Sequence, residues 1–291
     1  MFDKILLPLD GSELAEQALP PVVTLARAFD ADVHLLGVCE SDEGDSLEGC
    51  QAYIGGTAER LRSQVGTRPE RIHEATLEGD AADEITRYAR EQGTDLVVLT
   101  THGRSGLKPW PLGGTVDRLV HVPIASIVVQ VEEAPSPDRD LFRRVLAPLD
   151  GSEGGARAIA PLRQIAERIP AGITLLRVVE KDHHVRTIGG LDTVRFREED
   201  TKARTRTAER YLAEMAAQFA GTQASVKTVV RFGKPADEIL KLAAETEDTL
   251  IAVASHVHSP IETWFHGSVT QKVIQTPGNS FFLVPTEEAV Y

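Results

Sequence analysis

Two similar stretches, FDKILLPLDGSELAEQALPPV at residues 2–22 and FRRVLAPLDGSEGGARAIAPL at residues 142–162, decide the fold of this chain. Each opens with an apolar run that predicts a buried strand, and the Asp-Gly-Ser that follows predicts a turn with serine as a helix N-cap. Apolar residues then recur at helical spacing. In the first stretch, Pro20 and Pro21 fall inside this pattern and predict a kink near the middle of the helix. The repetition indicates an internal duplication.

Later segments of the two halves match in the same order. The matching pairs are VHLLGVCE (33–40) with ITLLRVVE (173–180), GDAADEI (79–85) with GKPADEI (233–239), and LVVLTTHGRSG (96–106) with LIAVASHVHSP (250–260). Strands that alternate with helices predict a parallel, right-handed doubly wound sheet in each half. The predicted fold class is therefore α/β, with two tandem domains of the flavodoxin or Rossmann type.

A polar, proline-rich segment marks the boundary between the halves. Residues 134–138 read APSPD, which is typical of a linker. The sequence predicts a first domain at residues 1–133, a linker at 134–140 and a second domain at 141–291. The second domain is longer between its second strand and its second helix, where residues 193–220 predict one long helix.

The net charge of −13 lies entirely in the first half, because residues 1–140 hold 12 Lys/Arg against 25 Asp/Glu and residues 141–291 hold 19 of each. Such an acidic surface argues against nucleic acid as a partner. No apolar run approaches the ~20 residues that span a bilayer, and the N-terminal residues predict a strand rather than a signal peptide. We therefore expect a cytoplasmic protein with no membrane partner. We also expect Cys39 and Cys50 to be reduced thiols with no disulfide or metal role, since they form no close CxxC pair.

The candidate binding site is the stretch TTHGRSGLKPWPLGGTVD at residues 100–117, which follows an apolar run at 96–99. Gly103 and Gly106 permit tight turns with free amides. The triplet Gly113-Gly114-Thr115 opens the next helical pattern, so amides and a hydroxyl are expected at a helix N-terminus, a geometry that holds phosphate. The alternative is a glycine-rich connection capped by Thr115.

The predicted topology brings this loop to a crevice. Ligands of doubly wound sheets bind outside the carboxyl ends of the strands, where the strand order reverses. With flavodoxin-like order, strands one and four lie near that crevice. Asp10 and the Gly103 loop should then share one site.

Taken together, DGSE after strand one, LL-x-V in strand two, THGRSG after strand four and the glycine–hydroxyl pair at the next helix resemble the universal stress protein family, here as a tandem pair. The resemblance covers nearly the whole chain. It implies five-stranded domains paired through their last strands, at residues 127–131 and 281–284, and bound ATP in one branch of the family. That branch carries Gly-x-x-Gly, nine residues and then Gly-Ser or Gly-Thr, and a second branch without the motif binds no nucleotide.

The first half keeps most of this motif. Thr100 replaces the first glycine, Gly103 matches the second, and Gly113 follows after nine residues. The family motif has its Ser or Thr at the position of Gly114, and here the hydroxyl residue comes one position later, as Thr115. The resemblance implies that Asp10 and the Val38 backbone contact adenine or ribose, and that the phosphates lie against Gly103, Gly113, Gly114 and Thr115.

The second half keeps Gly267-Ser268-Val269 but has Ala254 and Val257 where the family has glycine. A β-branched residue resists positive φ and adds bulk where a phosphate should approach. Asp150 and Val178 remain, so an adenine pocket is expected without a good phosphate cradle. We predict about one ATP, assisted by Mg²⁺, held mainly in the first half.

Other functions have weaker support in the sequence. GRSG around Ser105 is not a GxSxG elbow, which disfavours a serine hydrolase, and His102 is expected to orient its loop rather than to act as an acid or base. The histidines His256, His258 and His266 are interpreted as surface or pocket residues, with zinc as the alternative. The main alternative function is a scaffold of the same fold that acts through protein contacts alone. We expect no dedicated catalysis beyond slow ATP hydrolysis, a regulatory protein as partner, and association with itself through domain pairing or as a homodimer.

Overall fold

The computed structural model describes residues 2–40, 46–66, 68–104, 106, 112–135, 139–180, 198–246, 248–255 and 268–286. Each half contributes five strands and five helices from this part of the chain. The first half contains β1 (Lys4–Leu9), α1 (Glu13–Glu16), α2 (Leu19–Phe29), β2 (Asp32–Cys39), α3 (Leu47–Val65), β3 (Ile72–Glu78), α4 (Ala81–Gln92), β4 (Leu96–Thr100), α5 (Gly114–Leu119) and β5 (Ala125–Val129).

The second half repeats this order. It contains β6 (Arg144–Pro148), α6 (Glu153–Ala156), α7 (Ile159–Arg168), β7 (Gly172–Val179), α8 (Glu198–Ala217), β8 (Ser225–Phe232), α9 (Pro235–Ala243), β9 (Leu250–Ser255), α10 (Ser268–Ile274) and β10 (Ser280–Pro285). The long predicted helix is α8. The two halves are therefore built alike, as the duplication predicts.

All ten strands form one sheet in the order β3-β2-β1-β4-β5-β10-β9-β6-β7-β8. Neighbouring strands are parallel within each half, and the halves join through the antiparallel pair β5–β10, where Phe282 lies opposite Ile127. The prediction that the last strands pair is confirmed. Strand order within a half is 3-2-1-4-5, so the expectation of flavodoxin order is wrong: β1 and β4 are direct neighbours, and the order reverses between them.

The core lies on both faces of the sheet. Successive residues of a strand point to opposite faces, so Ile5 and Leu7 pack on one side with α2 and α3, whereas Leu6 packs on the other side with α4 and α5. Both faces are apolar because helices cover them, as expected for parallel strands. The carboxyl edges of the strands are left for the connections that form the sites.

Two local expectations are corrected. The helix after β1 is interrupted rather than kinked, because α1 ends at Glu16 and α2 restarts at Leu19 with proline in its first turn, where no amide hydrogen bond is needed. Cys39 and Cys50 form a disulfide, with Cα atoms 6.5 Å apart. Cys39 ends β2 and Cys50 lies in the first turn of α3, so the chain brings them together across the connection between those elements.

Candidate functional site

The first-half site is a cavity of about 180 Å³ at the carboxyl ends of β1, β2 and β4. It lies at the reversal of strand order, where a doubly wound sheet binds ligands. Its lining includes seven residues predicted from the sequence: Asp10, Val38, Thr100, Gly103, Gly113, Gly114 and Thr115. Gly106 does not line the cavity; its amide donates to the Gly103 carbonyl at 2.9 Å, with φ at 71°, so it closes a tight turn.

Asp10 ties the turn after β1 to the loop after β4. Its Oδ1 accepts hydrogen bonds from the Ser12 amide at 3.0 Å and the Ser12 hydroxyl at 2.7 Å, and its Oδ2 accepts from the Arg104 amide at 2.5 Å. A Cβ on Gly103 would lie 1.9 Å from Oδ2 of Asp10, far inside contact distance. Gly103 is therefore required because the carboxylate lies directly against the loop backbone.

The phosphate end of the predicted site is the N-terminus of α5. Gly113 is the N-cap and forms no side-chain cap hydrogen bond, so the amides of the first helical turn have no partner from the cap. The alternative in which Thr115 caps the helix is wrong, because the helix already begins at Gly114. A Cβ on Gly114 would meet nothing within 4 Å. This end of the cavity is thus lined by small residues and amide donors, which suits an anion.

Thr100 explains how the loop keeps its shape without the glycine of the family motif. Its hydroxyl donates to the His102 carbonyl at 2.7 Å, and both residues are buried. Thr100 is absent from the residues with positive φ, so threonine carries no backbone strain there. His102 lies 3.2 Å from the Thr101 hydroxyl through its Nδ1, consistent with a role in orienting the loop.

Sequence reasoning missed two residues of this site. The Arg104 side chain lines the cavity, and its guanidinium donates to the Asp10 carbonyl. Glu40 also lines the cavity, where its carboxylate accepts from the Ala81 amide at 3.0 Å and joins the end of β2 to the start of α4. The sequence could have indicated Glu40, because the second half has Glu180 at the equivalent position.

The equivalent cavity in the second half is larger, about 970 Å³. Asp150, Val178 and Val269 line it as predicted, together with Arg177, which sequence reasoning did not single out. Burial raises the pKa of Asp150, but hydrogen bonds from Ser152 and the charge of Arg177 outweigh this effect and hold the pKa below its usual value. Gly267 lies outside the described residues, and Ser268 is described only as the first residue of α10.

Metal binding and membrane insertion find no support in the described part of the chain. No group of three or more His, Cys, Asp or Glu side chains there is arranged to hold a metal ion. The zinc alternative at His256, His258 and His266 falls outside the described residues. None of the described helices is long and apolar enough to cross a membrane.

Comparison with known proteins places the chain in a family. The model of the universal stress protein family matches residues 1–130 and again residues 141–285. Universal stress protein MJ0531 of Methanocaldococcus jannaschii is 28% identical over 137 residues, which are 43% of this chain and 81% of that protein.

Solved structures of the same length share the whole fold. A universal stress protein of Archaeoglobus fulgidus has a TM-score of 0.65 at 19% identity, with 99% of this chain and 100% of that chain covered. One from Pseudomonas aeruginosa has a TM-score of 0.71 at 16% identity, with 97% and 93% covered. Because the family model matches both halves, this chain belongs to the universal stress protein family as a tandem member.

Proposed function

We propose that this protein is a cytoplasmic regulatory module of the stress response that binds ATP, with Mg²⁺, mainly in its first half. The proposal rests on one observation: Asp10 and the N-terminus of α5, which has no side-chain cap, line the same cavity. Oδ2 of Asp10 accepts a hydrogen bond from the Arg104 amide and has a second lone pair for a ribose hydroxyl or an adenine amine, while helix amides donate to phosphate oxygens. The two ends of a nucleotide thus have complementary partners.

Cavity volume alone would favour the second half, at about 970 Å³ against about 180 Å³. The smaller value is below the roughly 300–1,000 Å³ of ordinary ligand pockets. Arg104 lines the first cavity, with its guanidinium bound to the Asp10 carbonyl. We therefore expect nucleotide entry to require Arg104 to leave Asp10, after which its guanidinium is available to the phosphates.

Phosphate chemistry favours the first half despite its smaller cavity. There Gly103 leaves the loop backbone without a side chain, whereas the second half carries Val257 at that glycine position of the family motif. Several charge-assisted hydrogen bonds of ~1.5–3 kcal/mol each depend on that difference. Losing two would weaken binding by about two to four decades.

Hydrolysis should be slow. Both oxygens of Asp10 accept hydrogen bonds, from Ser12 and from the Arg104 amide, so this carboxylate is poorly placed as a base for water. Two other side chains of the lining could take a proton, but Glu40 accepts from the Ala81 amide and the buried His102 lies against the Thr101 hydroxyl. The remaining amides and hydroxyls position phosphates but do not take a proton. We expect ATP turnover below ~1 s⁻¹, the lower end for dedicated enzymes.

Titration calorimetry with MgATP on the full chain tests the proposal through Gly114. The variant Gly114→Glu places a carboxylate beside the proposed phosphates, while an acidic residue in the first helical turn keeps α5 stable. Gly114→Gln adds the same bulk without charge. We expect one site, with a dissociation constant of about 1 μM or weaker because the first half is acidic. Gly114→Glu should weaken it by roughly 100-fold or more and Gly114→Gln by less than roughly tenfold, since two unit charges at a few ångströms interact by several kcal/mol.

Three outcomes would contradict the proposal. Two equal sites would place nucleotide in both halves, and a single site that Gly114→Glu leaves intact would place it elsewhere. No MgATP binding at all would favour the scaffold function instead.

A further inference from the structure

The second-half cavity is built differently from its first-half counterpart. One face of α8 forms a wall of it through Arg204, Thr207, Ala208 and Tyr211, whereas the described lining of the first cavity includes no residue of α3. In the first half, Ile54 of α3 fills the space over Gly37, where an added Cβ would lie 2.8 Å from its Cγ1.

Arg177 occupies the position that Gly37 has in the first half. The matching segments LLGV and LLRV fix this correspondence, and in each half the residue follows the strand-two Leu-Leu pair. Its Nη1 donates to the Leu149 carbonyl at 3.2 Å, which holds the guanidinium at the carboxyl ends of β6 and β7. A side chain of this size cannot stand at position 37, because Ile54 lies against that backbone. The second cavity therefore has a cation on its second strand, at a position where the first cavity has no room for one.

Tyr211 adds a buried hydroxyl with no hydrogen-bond partner among the described residues. Burial raises the pKa of this phenol, the charge of Asp150 raises it further, and Arg177 opposes the shift. All three residues line the same cavity. Buried polar groups in proteins are nearly always hydrogen-bonded, and an unpaired one lowers stability. Tyr211 lines the cavity, and a ligand that reaches its hydroxyl would supply the missing partner.

The surrounding chemistry defines that ligand. Arg177 can only donate hydrogen bonds, and Oδ1 of Asp150 already accepts from both the amide and the hydroxyl of Ser152. The Asp150 and Glu180 carboxylates and the Arg204 side chain also line the cavity, so its polar end carries both signs of charge. The donors on Arg177 and Tyr211 call for an acceptor such as a carboxylate or a phosphate. The remaining walls are mostly aliphatic, including these buried side chains: Leu149, Leu176, Val178, Ile239, Val253 and Val273.

We propose that the second-half cavity binds an amphipathic organic anion, whose single carboxylate or phosphate group pairs with the Tyr211 hydroxyl and the Arg177 guanidinium while its apolar body lies against the aliphatic walls. This site is separate from the first-half nucleotide site. It gives the two halves different ligands and does not depend on ATP binding.

Calorimetric titration of the full chain with decanoate, decyl phosphate and neutral decanol tests the proposal. We expect one site for at least one of the anions, bound at least roughly tenfold more tightly than decanol, and the tighter anion identifies the head group. A hydrogen bond to a charged group is worth a factor of roughly ten or more. Tyr211→Phe and Arg177→Met should each weaken the anion by about that factor. Arg163→Met, which removes an exposed arginine on α7 that pairs with Glu167, should leave binding unchanged.

Tyr211→Phe supplies a second readout on the protein without ligand. Removing an unpaired buried hydroxyl should raise the urea concentration at the midpoint of unfolding, so this variant gains stability while it loses affinity. The proposal is overturned if neither anion binds, if decanol binds as tightly as the anions, or if both variants bind the anion like the unaltered protein. It is also overturned if excess MgATP displaces the anion, or if Tyr211→Phe lowers the unfolding midpoint.

Discussion

The contact between Gly103 and Asp10 gives a prediction whose size follows from the structure. In Gly103→Ala the new methyl group would lie 1.9 Å from Oδ2 and 2.9 Å from Cγ of Asp10, so the carboxylate must move. The bond from the Arg104 amide to Oδ2 is then lost, while the bonds from Ser12 to Oδ1 set how far the side chain can move. A charge-assisted bond is worth ~1.5–3 kcal/mol, and a glycine-to-alanine change returns ~0.4–1 kcal/mol through the unfolded state. We expect a net loss of ~1–2 kcal/mol in the free energy of unfolding.

Urea denaturation of a double-mutant cycle measures this contact. Asp10→Ala removes the atoms that the methyl group meets, so adding Gly103→Ala to it should cost almost nothing, and the coupling energy should be at least ~1 kcal/mol. Gly114→Ala is the matched control, since a Cβ there meets nothing within 4 Å. It should leave stability unchanged or raise it by up to ~1 kcal/mol. The reasoning is refuted if Gly103→Ala is as stable as the unaltered protein, or if it costs the same with and without the Asp10 carboxylate.

Two further predictions concern acid stability and domain pairing. Burial, together with the charges of His73 and Lys4, lowers the pKa of His34 from 6.5 to about 4. As the pH falls, His34 is therefore protonated in the unfolded chain before it is protonated in the folded one, and the free energy of unfolding decreases below pH 6.5. Between pH 7 and 4.5 the loss from His34 should be ~2–3 kcal/mol. The variant His34→Thr carries the residue that the second half has at the equivalent position, Thr174. Urea denaturation at both pH values should show a smaller loss of stability in this variant than in the unaltered protein. An equal loss in the two proteins would contradict the prediction. Residues 1–133 expressed alone should self-associate or be unstable, because β5 loses its partner β10 and becomes an exposed apolar edge. Light scattering that shows a stable, soluble monomer would contradict this expectation.

Much of the fold was predictable because local pattern and overall topology agree. The duplicated strand–turn–helix units, the Ser12 and Ser152 caps and the pairing of the last strands all follow from apolar periodicity and exposed edges. The strand order was not predictable, because both 2-1-3-4-5 and 3-2-1-4-5 obey the rules for right-handed crossovers. The disulfide was missed because Cys39 and Cys50 are 11 positions apart in the sequence, and only the return of the chain into α3 brings them together.

The candidate sites show a similar division. Glycines and carboxylates at strand ends are visible as motifs, and four of those residues line one cavity: Asp10, Gly103, Gly113 and Gly114. Two side chains whose role depends on where they point were missed. Arg104 points back to the Asp10 carbonyl, and Tyr211 lies on a helix whose pattern indicates only an amphipathic face. Arg177 had a signal in the sequence, since it replaces Gly37 between the two halves. The exchange matters because Ile54 packs against Gly37 in the first half, and comparing the two halves as sequences does not reveal that contact.

The central claim, that nucleotide binds in the first half, is tested most directly by a crystal structure of the full chain grown with Mg²⁺ and a non-hydrolysable ATP analogue. We expect density for phosphates against the amides of Gly114 and Thr115, density for the base or ribose beside Asp10, and the Arg104 guanidinium released from the Asp10 carbonyl. Nucleotide density in the second-half cavity beside Arg177 and Tyr211, with the first half unchanged, would contradict the account.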